Sequence, residues 1–487
     1  MVVDIKQPEI LTLLPQNGAN GAVNKAQDVE KAHQTAESKQ LDFFGERDAE
    51  NLTTDCQTLT HLVKSTLGSG IMAMPYAFRA SGIIGGILGG LFMAIICTHT
   101  SYILIDCAHI LYNKTRKSKM EYAEVVGAAF TTGPNCSRKY AYLARKFVLM
   151  WLFLAYFGAC VADTALIATN YGQVIRYYMS NETIYIANDS DVSNASSAAM
   201  LAMAPVEYTL LRTIMGCLLV PLVLFILVPN LKYLAPVSTV ANFFMATVII
   251  ITCYYLVQDP KPISELSLFQ PLTEAPQFIS ITLFAMENIG VIMPLENNMK
   301  TPRNFLGTCG VLNRGMFFIT FIYLLLGVLG YMKYGDKVNP IITTNLPVTD
   351  IAAQFVKILI GSTVLFTFSL QFYVCHEMVW LRVGKYFPNR PRLAENIIRV
   401  SLVIACVSIA IAIPSIGPLV TLVGAFGFSL LGIICPVVIE LMVYWELGYG
   451  RYNWKVIKNA FLMIFALFCL IFGTKYAIIE IVTDFLK

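Results

Sequence analysis

Apolar runs of about 20 residues, the length a helix needs to cross a bilayer, recur along this chain and constrain it more than any other feature. Eleven are centred on residues 59–81, 83–111, 147–175, 210–228, 236–257, 277–296, 311–334, 351–380, 397–413, 418–444 and 456–480. Across 487 residues 56% are hydrophobic and only 14% charged, too apolar for a soluble domain of this length. The expectation is an all-α integral membrane protein with eleven transmembrane helices. Residues 1–55 are polar, with ten acids against five bases, and read as a disordered cytoplasmic tail without a signal peptide. A net charge of +4 with no basic patch offers no nucleic-acid surface.

Lys and Arg in short loops set orientation. The segment after the second run holds Lys114, Arg116, Lys117, Lys119, Arg138, Lys139, Arg145 and Lys146. Alternate loops add Lys300, Arg303, Arg314, Arg382, Lys385, Arg390, Arg392, Arg451 and Lys455. The opposite loops are sparse in such charges, which puts the N-terminus in the cytoplasm and, with eleven spans, the C-terminus on the extracellular or lumenal side. The loop over 176–209 carries three glycosylation triplets, at Asn181, Asn188 and Asn194, in keeping with that side. Single triplets at Asn51, Asn113 and Asn135 fall on the side read as cytoplasmic.

Two of the runs are interrupted in matching ways. The first contains Gly68-Ser69-Gly70-Ile71-Met72-Ala73-Met74-Pro75, and the sixth contains Glu287-Asn288-Ile289-Gly290-Val291-Ile292-Met293-Pro294. Gly relaxes the backbone and Pro removes a helical donor. In lipid, unwound backbone is tolerated only where it is buried in protein or lines a cavity. Two breaks five spans apart mark a pair of repeats, about 56–257 and 277–444, with an extra helix at about 456–480. At such breaks half-helix amino ends hold a carboxylate and freed carbonyls hold an ammonium, the two charges of an α-amino acid. The candidate substrate-binding residues are Thr66, Gly68, Ser69, Gly70, Glu287, Asn288 and Gly290, with Tyr373 offering a hydroxyl from the eighth span.

Ionisable groups inside a span cost several kcal/mol unless paired or wet. His61, about two turns before the first break, suits proton exchange near neutral pH, and Glu287 in the second break joins it as a proton-coupling candidate. Asp163, deep in the third span, reads equally as structural or functional. Twelve cysteines show no metal-ligand spacing, and no nucleophile elbow or phosphate loop points to an enzyme. No metal is expected, and no cofactor beyond the coupling ion.

Thr58-Leu59-Thr60-His61-Leu62-Val63-Lys64 running into the first break, Phe284-Ala285-Met286-Glu287 leading to Pro294-Leu295-Glu296-Asn297, and Leu370-Gln371-Phe372-Tyr373-Val374 resemble the proton-coupled amino acid transporters. That family is solute carrier family 36 of the amino acid/auxin permease superfamily, and the wording is similar to its insect members over about 55–480. The resemblance implies a LeuT-like core of five plus five inverted helices with helices 1 and 6 broken. It further implies symport of small neutral amino acids such as glycine, alanine and proline with protons, at the plasma membrane or lysosome. The family's first-span histidine corresponds to His61. The chain departs from mammalian relatives in lacking their pair of extracellular-loop cysteines, and Asn288 stands where many relatives have Gly.

Sodium coupling is the close variant. A different class is a transceptor, an amino-acid sensor with growth-signalling partners at the lysosome. Glu9-Ile10-Leu11-Thr12-Leu13-Leu14 resembles an acidic di-leucine sorting signal, so the endosomal-lysosomal and plasma membranes are both expected locations.

Overall fold

The computed structural model describes residues 52–187, 208–227, 231–286 and 288–486, all but the short connections helical. The expected tail lies outside these residues as far as position 51. Its last residues are fixed, because Thr53 pairs with the chain beyond the second break: Thr53 N–H donates to Asn298 O at 2.8 Å and Lys300 N–H to Thr53 O at 2.9 Å. A capping box follows, with Thr54 Oγ1 accepting from Gln57 N–H at 3.4 Å and Gln57 Oε1 from Thr54 N–H at 3.0 Å.

Among the described residues ten stretches have the length and hydropathy to cross a membrane. The first expected span is not among them because it is interrupted: α1 (Asp55–Thr66), a 3₁₀ segment over Ser69–Ala73 and α2 (Met74–Ser81) are each too short alone. The sixth is likewise divided into α8 (Ala275–Met286) and α9 (Ile289–Asn297). Between them run α3 (Ile83–Thr115), α4 (Tyr122–Thr132), α5 (Ala141–Ala187), α6 (Tyr208–Ile226) and α7 (Leu231–Val257). After them come α10 (Val311–Tyr334), α11 (Ile351–Val383), α12 (Pro391–Ala412), α13 (Ile416–Leu422), a π stretch over Val423–Ile434 and α14 (Cys435–Val443). The last span is α15 (Trp454–Phe468) and α16 (Thr474–Phe485), joined by a second π turn.

One expectation is corrected. The loop read over 176–209 begins later, since α5 continues through Ala187. No Gly or Pro occurs between Arg176 and Ala187 to stop it. Its 47 residues extend about 70 Å, far more than a bilayer core. Asn181 therefore stands on helical backbone, its side chain outside the description, and Asn188 and Asn194 lie outside the described residues.

The basic loops converge on one face, where Lys114 and Arg138 both reach Glu446, at 3.4 and 4.0 Å. On the opposite face Ile83 N–H meets Ser267 O at 3.1 Å and Tyr76 meets Glu480 at 3.1 Å. The two interrupted helices form the centre: α8 packs on α2 and the 3₁₀ segment, while α10 covers α1 and α2. Around them α5 packs along α11 and α11 along α7.

Candidate functional site: a cavity between two interrupted helices

The unwinding in α1 starts where Gly68 turns extended (φ −98°, ψ −154°), a conformation open to any residue. The glycine the fold requires is Gly70. A Cβ there would stand 2.7 Å from Ala285 Cα, so only a residue without a side chain lets the two breaks touch. Gly290 is similar, because a Cβ would meet the Tyr156 hydroxyl at 1.9 Å. Pro75 opens α2 rather than ending a helix, as its missing N–H suits the first turn.

Interruption frees carbonyls that lipid cannot satisfy. Tyr323 of α10, fully buried, places its hydroxyl 2.6 Å from Thr66 O and 2.8 Å from Ala285 O, one carbonyl from each break. Its single proton serves one of them at a time. At the second break Asn288 holds the N-cap position of α9, but its side chain is turned away. Ser101 donates to its Oδ1 at 3.3 Å and its Nδ2 lies 3.1 Å from Met316 Sδ.

A cavity of about 980 Å³ lies against both breaks. It runs inward from Tyr142, Arg145 and Arg382, exposed on the basic face, to the buried Gly70, Ala285, Asn288 and Ile289. Thr363, Thr367 and Gln371 form one stripe of α11 along its wall, opposite Tyr156 of α5. Gln371 Oε1 is buried and has no hydrogen-bond partner among the described residues, leaving an acceptor open at the wall. At the blind end the 3₁₀ segment and α9 both begin, with Ser69, Gly70, Ile289 and Gly290 on the wall, and a helix start is where backbone N–H groups are left for partners outside the helix. Donors at the breaks and an open carbonyl on the wall suit a zwitterion, with carboxylate and ammonium held separately.

The expected residues Thr66, Gly68, Ser69, Gly70, Asn288 and Gly290 all line this one cavity, with His61 exposed toward its mouth beside Lys64. Thr66 is buried, its hydroxyl returned to Leu62 O at 2.9 Å. Tyr373 is a correction: it is absent from the wall. The lining stripe of α11 passes through Gln371 and Val374, and a residue two positions past Gln371 points about 200° around the helix. Its ring sits instead 6.4 Å from that of His376. Glu287 lies outside the described residues.

Two contributors were not assigned from sequence. Tyr323 gave no signal, being one aromatic in an apolar run. Asp163 has a defined place: it is 2% exposed, and Ser69 Oγ donates to its Oδ1 at 2.9 Å.

Residues 53–480 match the family described as transmembrane amino acid transporter protein. The "Proton-coupled amino acid transporter-like protein pathetic" of Drosophila melanogaster is 48% identical over 442 residues, covering 91% of this chain and 88% of that one. The "Probable amino acid transporter skat-1" of Caenorhabditis elegans is 24% identical over 457 residues, 89% and 92% of the two chains. Among solved structures, MhsT in complex with L-phenylalanine aligns at a TM-score of 0.47 with 13% identity, over 90% of this chain and 99% of that one. This chain therefore belongs to the transmembrane amino acid transporter family and is a multi-pass membrane transporter of amino acids, not an enzyme.

Proposed function

We propose that this chain carries small neutral amino acids of the glycine, alanine and proline type together with protons, by alternating access. The observation that carries this reading is the cavity whose blind end is built from both interrupted helices, with an open acceptor on its wall for the ammonium of an amino acid. The close packing of Gly70 on Ala285 favours small substrates. The relative that is 48% identical is named as proton-coupled, which favours protons over sodium as the coupling ion. His61 at the mouth and Glu287 at the second break are the proposed groups for handing protons in and out.

The basic face is the cytoplasmic one in this reading, so the cavity is open inward, the N-terminus is cytoplasmic and the C-terminus extracellular or lumenal. The membrane is the plasma membrane, the endosomal-lysosomal membrane or both.

The test is uptake of radiolabelled glycine, alanine and proline into cells at pH 5.5 and 7.5, with and without sodium, for the native chain and His61→Ala. Acid-stimulated, sodium-independent uptake that is reduced in His61→Ala is expected. Surface-delivered protein that binds these amino acids without flux overturns the symport reading in favour of an amino-acid sensor, and uptake that needs sodium overturns the choice of ion.

A further inference from the structure

Asp163 is a carboxylate near the middle of a membrane protein, 2% exposed, and among the described residues no Lys, Arg or His forms an ion pair with it. Its one hydrogen bond there is from the Ser69 hydroxyl to Oδ1 at 2.9 Å; Oδ2 has none. An uncompensated anion in this position is costly, and the cost disappears when the group takes up a proton. Ser69 is also on the wall of the substrate cavity, at the first break, and Ala159, one turn before Asp163 on α5, lines the same wall. The acid is thus one hydroxyl removed from where an amino acid would sit.

The neighbourhood leaves Asp163 without a competitor for that proton. The titratable groups beside it are buried thiols: Cys160 on α5, next to Cys375 of α11, and Cys406 of α12, next to Thr164. The other ionisable groups of α11 and α12 are engaged elsewhere. His376 and Arg399 face Glu395 at 3.8 and 2.5 Å, and Lys357 binds Gln173, ten residues or about 15 Å along α5. Glu377 and Arg382 lie at the cavity's outer part with Glu121 and Arg145. On α4, Tyr122 donates to Leu431 O and Glu124 faces Arg145; on α6, Tyr208, Arg212 and Cys217 are exposed. The 342–345 turn, α13 and the first π stretch contain no titratable residue.

We propose that Asp163 carries the coupled proton and that Ser69 transmits its state to the substrate by reversing the polarity of one hydrogen bond. This rests on the symport reading above. With Asp163 ionised, the Ser69 proton points at Oδ1 and Ser69 Oγ offers only lone pairs to the cavity. When Asp163 gains a proton, its O–H donates to Ser69 Oγ and the Ser69 proton turns to the cavity, where it meets the substrate carboxylate. On release the carboxyl proton passes to cavity water, Ser69 turns back to the anion, and the substrate loses that donor. Each cycle moves one proton, with no group left charged and unpartnered while the amino acid is bound.

The experiment uses the full chain in proteoliposomes, with radiolabelled alanine as substrate and a pH dye to read proton entry. For the native chain, KM is expected to fall about tenfold, the worth of one charge-assisted hydrogen bond, between pH 7.5 and 5.5. Asp163→Asn, whose amide donates to Ser69 Oγ as the protonated acid does, is expected to keep alanine exchange, to lose alanine-driven proton entry, and to show a KM that varies less than twofold over that range. Ser69→Ala keeps the acid but breaks the relay, and its KM is expected to be high and flat with pH. Proton entry retained by Asp163→Asn overturns the proposal. So does a Ser69→Ala KM that still falls with acid, a result that stands even if the Asn variant does not fold. Exchange lost along with proton entry in folded Asp163→Asn also overturns it, because the carboxylate then serves substrate retention. A native chain without alanine-driven proton entry defeats the symport reading itself.

Discussion

Lys357 Nζ lies 2.8 Å from Gln173 Oε1 and 2.5 Å from the Thr343 carbonyl oxygen, so one fully buried ammonium ties α11 to α5 and to the turn over Ile342–Asn345. The same turn is held again by Gln173 Nε2 on Thr344 O at 3.0 Å and by the Thr343 hydroxyl on Asn170 Oδ1 at 2.7 Å. All of these acceptors are neutral. Lys357→Met fills the space but leaves Gln173 Oε1 unserved, at about 1–3 kcal/mol, and leaves Thr343 O with only the Leu346 N–H at 3.3 Å. The expected result is a lower thermal unfolding midpoint in detergent and faster labelling of Cys placed at Thr343 by a membrane-impermeant thiol reagent. An unchanged midpoint would show that the clasp is dispensable.

Tyr323→Phe removes the one hydroxyl that reaches both breaks. Both breaks then lose the shared donor, although Thr66 O keeps the Gly68 N–H at 2.8 Å, a loss of about 1–3 kcal/mol. Transport per surface molecule is expected to drop by about tenfold. Surface biotinylation in parallel with uptake separates this from a trafficking defect.

Two neighbouring glycines are expected to behave oppositely. Gly70→Ala forces a Cβ to within 2.7 Å of Ala285 backbone and should abolish uptake, since neither break can yield without losing its partner. Gly68→Ala meets nothing within 4 Å and keeps an ordinary extended conformation, so uptake should persist with KM changed by no more than a few-fold. Equal effects from both would contradict the close approach.

Asp55, ahead of the first span, accepts hydrogen bonds from the Thr301 hydroxyl and from Asn304 Nδ2, the latter at 2.9 Å. Those two donors, in that order, hold its carboxyl below the usual aspartate value. A lowered folded-state value means that the contribution to stability is complete above the ordinary carboxylate range and disappears as pH falls through the folded-state value. The difference in midpoint between native protein and Asp55→Ala should be constant from pH 7.5 down to about 5 and shrink below about pH 4. A difference that shrinks already between pH 7 and 6 would assign the contact to another group.

The paired breaks were legible because Gly, Asn and Pro in an apolar run have few structural uses, and their residues do meet at one cavity. The end of α5 was misread for the complementary reason: polarity after Arg176 resembled a loop, but nothing there stops a helix. Tyr373 failed on helical phase, which hydropathy does not register when every face of a span is apolar; Thr363, Thr367 and Gln371 hold the phase of the lining stripe. The links between Ser69 and Asp163 and from Tyr323 to both breaks are tertiary, set by which spans pack at the centre. Glu287, named from the sequence as the second proton group, is not among the described residues.

The pairing of Thr53 with Asn298 and Lys300, reinforced by Asp55 on Thr301 and Asn304, makes the basic-face halves of the two interrupted helices a single lever with two pins, one at each break. In the alternating-access reading, that face has one moving part where two separate half-helices would give it two. A pull on the chain at Thr53 therefore reaches both half-helices together.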